Sequence, residues 1–240
     1  MGHTVNKYVV LCFLAWVGYA HAGGLLVTNT FSSSFTDPLL IPDNNAAGVM
    51  DAIEVEMPLA DNIIDISVSL NIASADVNDP AFNGDFYVYL QYAFGADQHL
   101  AVLLNRVGTL DLDNSFGYND PGLNVTFNLN GSDIHYYRQH TPTYDASGRL
   151  LGEWSADGRL MTPPDTDTAR SAGLDGFLGM NPNGTWSLFA ADLSAGGQGL
   201  LNEWMMTLVA TPEPGTGSLL LLGWFLLHIL KRRASRMAGQ

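Results

Sequence analysis

Between residues 23 and 214 this chain of 240 residues has no lysine and no cysteine, and its one cysteine, Cys12, precedes that stretch. The segment therefore has no disulfide, no thiol nucleophile and no thiolate zinc site. Its only basic groups are Arg106, Arg138, Arg149, Arg159 and Arg170, set against all 24 acidic residues of the chain, which leaves it at −19. Nucleic acid is excluded as a partner, because neutralising a phosphate backbone takes Lys and Arg. Catalytic patterns are missing too. There is no G-x-S-x-G elbow, and Ser32-Ser33-Ser34 is a polar lead-in. Gly196-Gly197 and Gly199 lie between strand patterns, where a hairpin turn accounts for them, rather than before a helix. Besides His99, His135 and His140 stand five apart, not at the i, i+4 spacing of a helical ligand pair, and read as loop histidines.

The two ends carry the most specific signals. Lys7 precedes an apolar run over residues 8–16, followed by Ala20-His21-Ala22, an A-x-A cleavage pattern. Residues 1–22 read as a secretory signal peptide cut between Ala22 and Gly23. The other reading, an N-terminal anchor, fits less well, because the run is too short for ~30 Å of hydrocarbon. At the far end Pro212-Glu213-Pro214 leads through a small-residue spacer to an apolar run over residues 218–230. Lys231, Arg232, Arg233 and Arg236 then close the chain. The run measures about 20 Å as a helix, short for a permanent span, and the basic cluster marks a cytoplasmic side. In its order of motif, apolar helix and basic end, the segment 212–240 resembles the PEP-CTERM sorting tail of Gram-negative bacteria. The resemblance implies transient insertion in the inner membrane and removal of the tail by an exosortase-type processing enzyme. Delivery to the cell surface or an extracellular polysaccharide matrix would follow. An ordinary tail anchor is the competing reading.

The intervening domain, 23–211, is long enough for a substantial core and shows no helix of convincing length. Strand patterns dominate. Ile64, Ile66, Val68, Leu70 and Ile72 alternate against Asp65, Ser67, Ser69 and Asn71, and Ile53, Val55 and Met57 alternate against Glu54 and Glu56. Further strands are expected over residues 25–31, 86–92, 100–108 and 120–127. Trp186 with Leu188, and Trp204 with Met206 and Leu208, mark the inward faces of two neighbouring strands. With Gly, Asn, Asp and Pro at the turns, the expectation is all-β, an antiparallel jelly roll or β-sandwich of about eight to ten strands.

Several of these segments, in order, resemble the P domain, the β-sandwich that follows the catalytic domain of subtilisin-like proprotein convertases. They are Ile41-Pro42-Asp43, residues 64–72, Gly84-Asp85-Phe86, residues 103–108, Gly184-Thr185-Trp186 with Asp192, and Gly199-Leu200 with Trp204. The resemblance runs from about residue 41 to residue 209, with Phe86 standing where the family has Leu. It implies a β-sandwich scaffold. The protease does not carry over, because its Asp, His and Ser motifs are not in this sequence and fewer than twenty residues separate Gly23 from Ile41.

Two kinds of candidate site remain. Asp76, Asp79 and Asp85 flank one loop, and Asp111, Asp113, Asn114, Asn119 and Asp120 border another. Hard oxygen ligands of this kind suit Ca²⁺, although neither loop has EF-hand spacing and an acidic domain has acidic loops in any case. No cofactor is assigned. Tyr136, Tyr137, Tyr144 and Trp154 fall in an irregular stretch, 131–179. They could form a platform for stacking on sugar rings, or pack their loop onto the sandwich. The expected role is that of an exported, non-enzymatic protein with a structural or adhesive function. The alternatives are a carbohydrate-binding module using the aromatics of 136–154 and an enzyme of unrecognised type on a jelly-roll scaffold.

Overall fold

The computed structural model describes residues 26–33, 37–109, 116–161, 169–213 and Trp224. The signal-peptide site Ala22–Gly23, the tail residues Pro214, Arg232 and Arg233, and the loop residues Asp111, Asp113 and Asn114 lie outside them. Among the described residues no helix is long and apolar enough to cross a membrane.

The chain forms β1 (Val27–Ser32), β2 (Leu39–Ile41), β3 (Asn45–Val55), β4 (Ala60–Ser74), β5 (Phe86–Phe94) and β6 (Asp97–Asn105). It continues through β7 (Gly122–Asp133), β8 (Thr143–Tyr144), β9 (Leu150–Ser155), β10 (Gly184–Asp192) and β11 (Gly199–Pro212). Among the described residues, apart from Trp224, the helical pieces are short 3₁₀ turns at Asn83–Asp85, Ile134–Gln139 and Leu174–Phe177. The fold is all-β, in two sheets. One has seven strands in the order β1-β11-β4-β7-β9-β8, with β2 also paired to β11, and the other has four, β3-β10-β5-β6. The count exceeds the expected range because β2 and β8 are too short to leave a period in the sequence.

The inward faces of both sheets meet in one core. Val68, Leu70 and Ile72 of β4 and Met206 and Leu208 of β11 face it from the large sheet, and Val88, Leu90 and Leu188 from the small one. Trp186 and Trp204 are both fully buried, as their alternation requires. They do not, however, come from paired strands: β10 belongs to the small sheet and β11 to the large one. Residues 193–198 thus cross between sheets rather than turning a hairpin. Gly197 (φ +74) is needed at this crossing, since a Cβ there would lie 2.5 Å from the Asp79 carbonyl oxygen. The Trp204 indole N–H donates to Asp51 Oδ2 of β3 at 2.7 Å and so ties the two sheets together. Trp186 packs against Tyr92 and Phe177, with ring centroids 4.8 and 4.9 Å away, and its N–H donates to the Pro182 carbonyl at 3.0 Å.

Two further expectations need correction. Ile64 is exposed and Ile63 is buried. Val209 pairs with Asp65 and Ala210 with Ile63, and this irregularity reverses the facing of β4 below Ile66. The sheet is also not wholly antiparallel, because β9 runs parallel to β7. The segment between them passes through the turn at Ile134–Gln139 and then β8, which pairs antiparallel to β9 and sets its direction. β9 approaches β7 so closely that a Cβ on Gly131 would lie 2.2 Å from the Trp154 carbonyl carbon.

Candidate functional site

The four aromatic candidates do not form a platform. Tyr137 and Trp154 are core residues, at 0% and 5% exposure. Tyr137 meets Tyr118 edge-on at 4.6 Å and Trp154 at 6.0 Å. Its hydroxyl donates to Asp120 and accepts from Asn83 Nδ2 at 3.3 Å. Burial, reinforced by the Asp120 carboxylate, pushes the Tyr137 phenol well above the usual tyrosine range. The Trp154 N–H donates to the Leu151 carbonyl at 3.1 Å. Tyr136 is half-buried, with the Arg159 guanidinium 5.4 Å above its ring, and Tyr144 is exposed. For Tyr137 and Trp154 the structure therefore gives the packing reading: they fasten the 131–155 segment to the edge of the large sheet.

Beneath that segment lies an ion-pair network that the sequence reading missed. His135 is not a loop histidine: it is fully buried, with Nδ1 2.7 Å from Oδ2 of the equally buried Asp157. Arg159 bridges the two carboxylates, Nη1 to Asp157 Oδ1 at 2.9 Å and Nη2 to Asp133 Oδ2 at 2.8 Å. Burial opposes the Arg159 charge, but the hydrogen bond it donates to Asp133 and the field of Asp157 outweigh it and raise its pKa. Arg170 closes the network, donating to the main-chain oxygens of Asp157 and Ala156 and to Ser155 Oγ at 2.9, 2.6 and 2.7 Å. A signal existed: four of the domain's five arginines, at 138, 149, 159 and 170, fall within its least regular stretch. In a lysine-free chain that concentration marks carboxylates in need of partners. Arg170 also lines an open cavity of about 330 Å³, together with Asn128, Ser155, Leu174 and Asp175.

The described carboxylates of the candidate calcium loops are not gathered together. Asp76 Oδ1 accepts from the Asn78 backbone and side chain at 2.8 and 3.1 Å, which closes that loop on itself. Asp120 is held by Tyr137 and by Arg138, whose Nε and Nη2 lie 3.0 and 2.9 Å away, while Arg138 Nη2 also donates to Asn119 at 2.7 Å. Among the described residues no three His, Cys, Asp or Glu side chains already stand together as metal ligands. Asp85 is instead buried, within electrostatic reach of Asp43, from the turn before β3, and of Asp192, at the end of β10. These aspartates come from three segments, Asp43 lying 42 positions before Asp85 and Asp85 107 positions before Asp192. Arg106, held at φ +49 after β6, reaches the same corner, donating to Ser194 Oγ at 2.8 Å and to the Gly84 carbonyl at 3.3 Å. Burial, then the Asp85 and Asp43 carboxylates, push the Asp192 pKa from 3.8 up to about 7. Burial also raises Asp85, against the lowering by Ser194 and Arg106. Because the folded value of Asp192 is the higher one, its contribution to stability is full below about pH 3.8. That contribution is lost as the pH rises through about 7.

The Pro-Glu-Pro motif starts on the sheet itself. Pro212 ends β11 opposite Ala60, and the Glu213 N–H donates to the Leu59 carbonyl at 2.9 Å.

No family model matches the chain. No curated protein matches it either. Among solved structures it is similar to the serine protease of Aeromonas sobria in complex with its chaperone, at 14% identity and a TM-score of 0.40. It is likewise similar to the serine protease of Aeromonas sobria itself, at 14% identity and a TM-score of 0.38. Both matches cover 82% of this chain but only 29% of the other, so the chain spans less than a third of the length of those proteins.

Proposed function

We propose that this chain is an exported, non-enzymatic β-sandwich protein of the P-domain kind, with a jelly-roll arrangement and a structural or adhesive role at the cell surface or in an extracellular polysaccharide matrix. The order of features along the chain carries this reading. A signal-like start precedes a lysine-free domain at −19, and Pro-Glu-Pro, an apolar run and a basic end follow it. The P-type segments support the scaffold part, since Ile41, Leu70, Phe86, Leu104, Trp186 and Trp204 from those segments all belong to the core. An exosortase-type enzyme is the processing partner and extracellular polysaccharide the matrix partner. Nucleic acid is not a partner of a surface with so little positive charge. Mass spectrometry of the protein recovered from the surface of its host is expected to give termini at Gly23 and near Pro214. A chain intact through Gln240 would instead make it a membrane-anchored protein and end the exosortase reading.

A second reading, carbohydrate binding, moves from the rings to the cavity beside Arg170. A concave site with a guanidinium, a carboxylate, an amide and a hydroxyl suits a hydroxylated ligand better than an apolar one. Substituting Asn128→Ala together with Asp175→Ala is expected to weaken retention on extracellular polysaccharide at least tenfold. Unchanged retention would remove the cavity as the binding site.

A further inference from the structure

Asp192 has no solvent exposure, yet only one of its carboxylate oxygens is accounted for within its own loop: Oδ1 accepts from the Ser194 N–H at 3.1 Å. Oδ2 is buried without any hydrogen-bond partner. A carboxylate oxygen withdrawn from water and left unpaired is among the costliest arrangements a core can hold. Its surroundings deepen the imbalance. The charged groups facing it are Asp85, at the start of β5, and Asp43, in the turn before β3, both negative. The one positive group, Arg106 after β6, makes its hydrogen bonds to Ser194 and to the Gly84 carbonyl. Among the described residues the corner therefore carries three carboxylates and one guanidinium, and although the Asn44 main chain also favours the Asp192 charge, Oδ2 makes no hydrogen bond.

Three agents could restore the balance. A water would fill the space but cancel no charge. A proton on Oδ2 would cancel the charge of Asp192 alone and leave the Asp85 and Asp43 carboxylates acting on one another. A cation meets both needs. The available donors are all oxygen, with no imidazole or thiolate among them, which favours a hard ion that takes carboxylates, main-chain carbonyls and water together.

We propose that the corner between Asp43, Asp85 and Asp192 binds one divalent cation of the Ca²⁺ class. Asp192 and Asp85 ligate it directly, main-chain oxygens and water complete the shell, and Asp43 supplies charge from the half-buried rim. Three side chains need not converge beforehand for such a site, and among the described residues they do not. The Asp43 carboxylate is already anchored through Oδ1, which accepts from the Gly196 N–H at 3.0 Å. A bound ion would thus join the turn before β3, the start of β5 and the crossing from β10 to β11. Burial first, and then the Asp85 and Asp43 carboxylates, raise the Asp192 pKa, so protons and the cation compete for this group.

The test uses the full chain freed of metal with a chelator, followed by thermal unfolding and calorimetric titration at pH 8 with CaCl₂, and with NaCl at equal ionic strength. The expected result is one saturable Ca²⁺ site with a raised unfolding midpoint, and no such response to NaCl. Asp192→Asn keeps the shape and removes the charge. It should lower Ca²⁺ affinity at least tenfold, with a metal-free midpoint at pH 8 no lower than the parent's. Asp43→Asn, on the rim and safe for folding, should weaken Ca²⁺ binding several-fold. A metal-free parent that gains no stability from Ca²⁺ at pH 8 would overturn the proposal. So would a Ca²⁺ response unchanged in both variants. If acidification from pH 8 to pH 5 stabilises the parent but Ca²⁺ does not, the corner is held by a proton and the cation site falls.

Discussion

Replacing Arg159 with methionine is expected to remove about 3–5 kcal/mol of stability, because it strands two carboxylates rather than one. Asp157 is fully buried and Asp133 is mostly so, and Arg159 donates to both from a side chain that is itself only 8% exposed. Methionine fills much the same volume, so the loss would come from charge and not from a cavity. The double variant Asp157→Asn with Arg159→Met is diagnostic. Asparagine still offers His135 an acceptor and carries no charge, so the double variant should recover more than half of the loss. Urea unfolding would read both, as a shift in midpoint at constant slope. A single variant within about 1 kcal/mol of the parent would mean that Arg170, 3.6 Å from Asp133, takes over the neutralisation. For a fold whose total stability is expected at about 5–15 kcal/mol, the full loss would leave little margin.

Trp186→Ala should cost a similar amount, about 3–5 kcal/mol, by the opposite mechanism. The indole sits in the middle of the small sheet between Tyr92 and Phe177, both fully buried, and its removal opens a cavity that the two remaining rings cannot collapse to fill. Trp186→Phe separates two contributions. It keeps most of the ring contact but leaves the buried Pro182 carbonyl without its donor, an omission worth about 1–3 kcal/mol. The phenylalanine variant should therefore fall between parent and alanine in urea midpoint. Equal losses in the two variants would show that the hydrogen bond, not the volume, holds this part of the core.

The sequence was most legible where a strand has one wet and one dry face. Val68, Leu70, Ile72, Trp186, Leu188, Trp204, Met206 and Leu208 all point inward as their period of two demands. It was misleading at Ile64, because an irregular pairing against Val209 and Ala210 shifts the facing and no side chain announces such a shift. Sheet membership was equally hidden: alternation says which way Trp186 and Trp204 point but not that their strands lie in different layers. Ring-rich loops offered a plausible surface that turned out to be partly core, since an aromatic residue reads the same whether it stacks on a sugar or on Tyr118. The polar sites were the least legible. Asp43, Asp85 and Asp192 meet only because three segments distant in sequence end at the same corner, and local spacing carries no trace of that. Asp85 was grouped with its sequence neighbours Asp76 and Asp79, but it is buried while they remain exposed on their own loop.

The position of β11 governs the order in which this fold can be completed. Among the described residues β1 and β2 pair with no other strand, and β4 has β11 along one whole side. Some contacts across this seam join residues as far apart as Thr30 and Thr207, 177 positions apart in sequence. The small sheet has all four of its strands once residue 192 is made. Until residues 199–212 follow, the larger sheet has two strands with nothing to bind and an open edge of unpaired backbone along β4. Closure of the larger layer therefore waits for the strand made after the other ten. High contact order of this kind belongs to slow folders. During synthesis at about 5–20 residues per second, the half-built layer is exposed for most of the time the chain takes to appear.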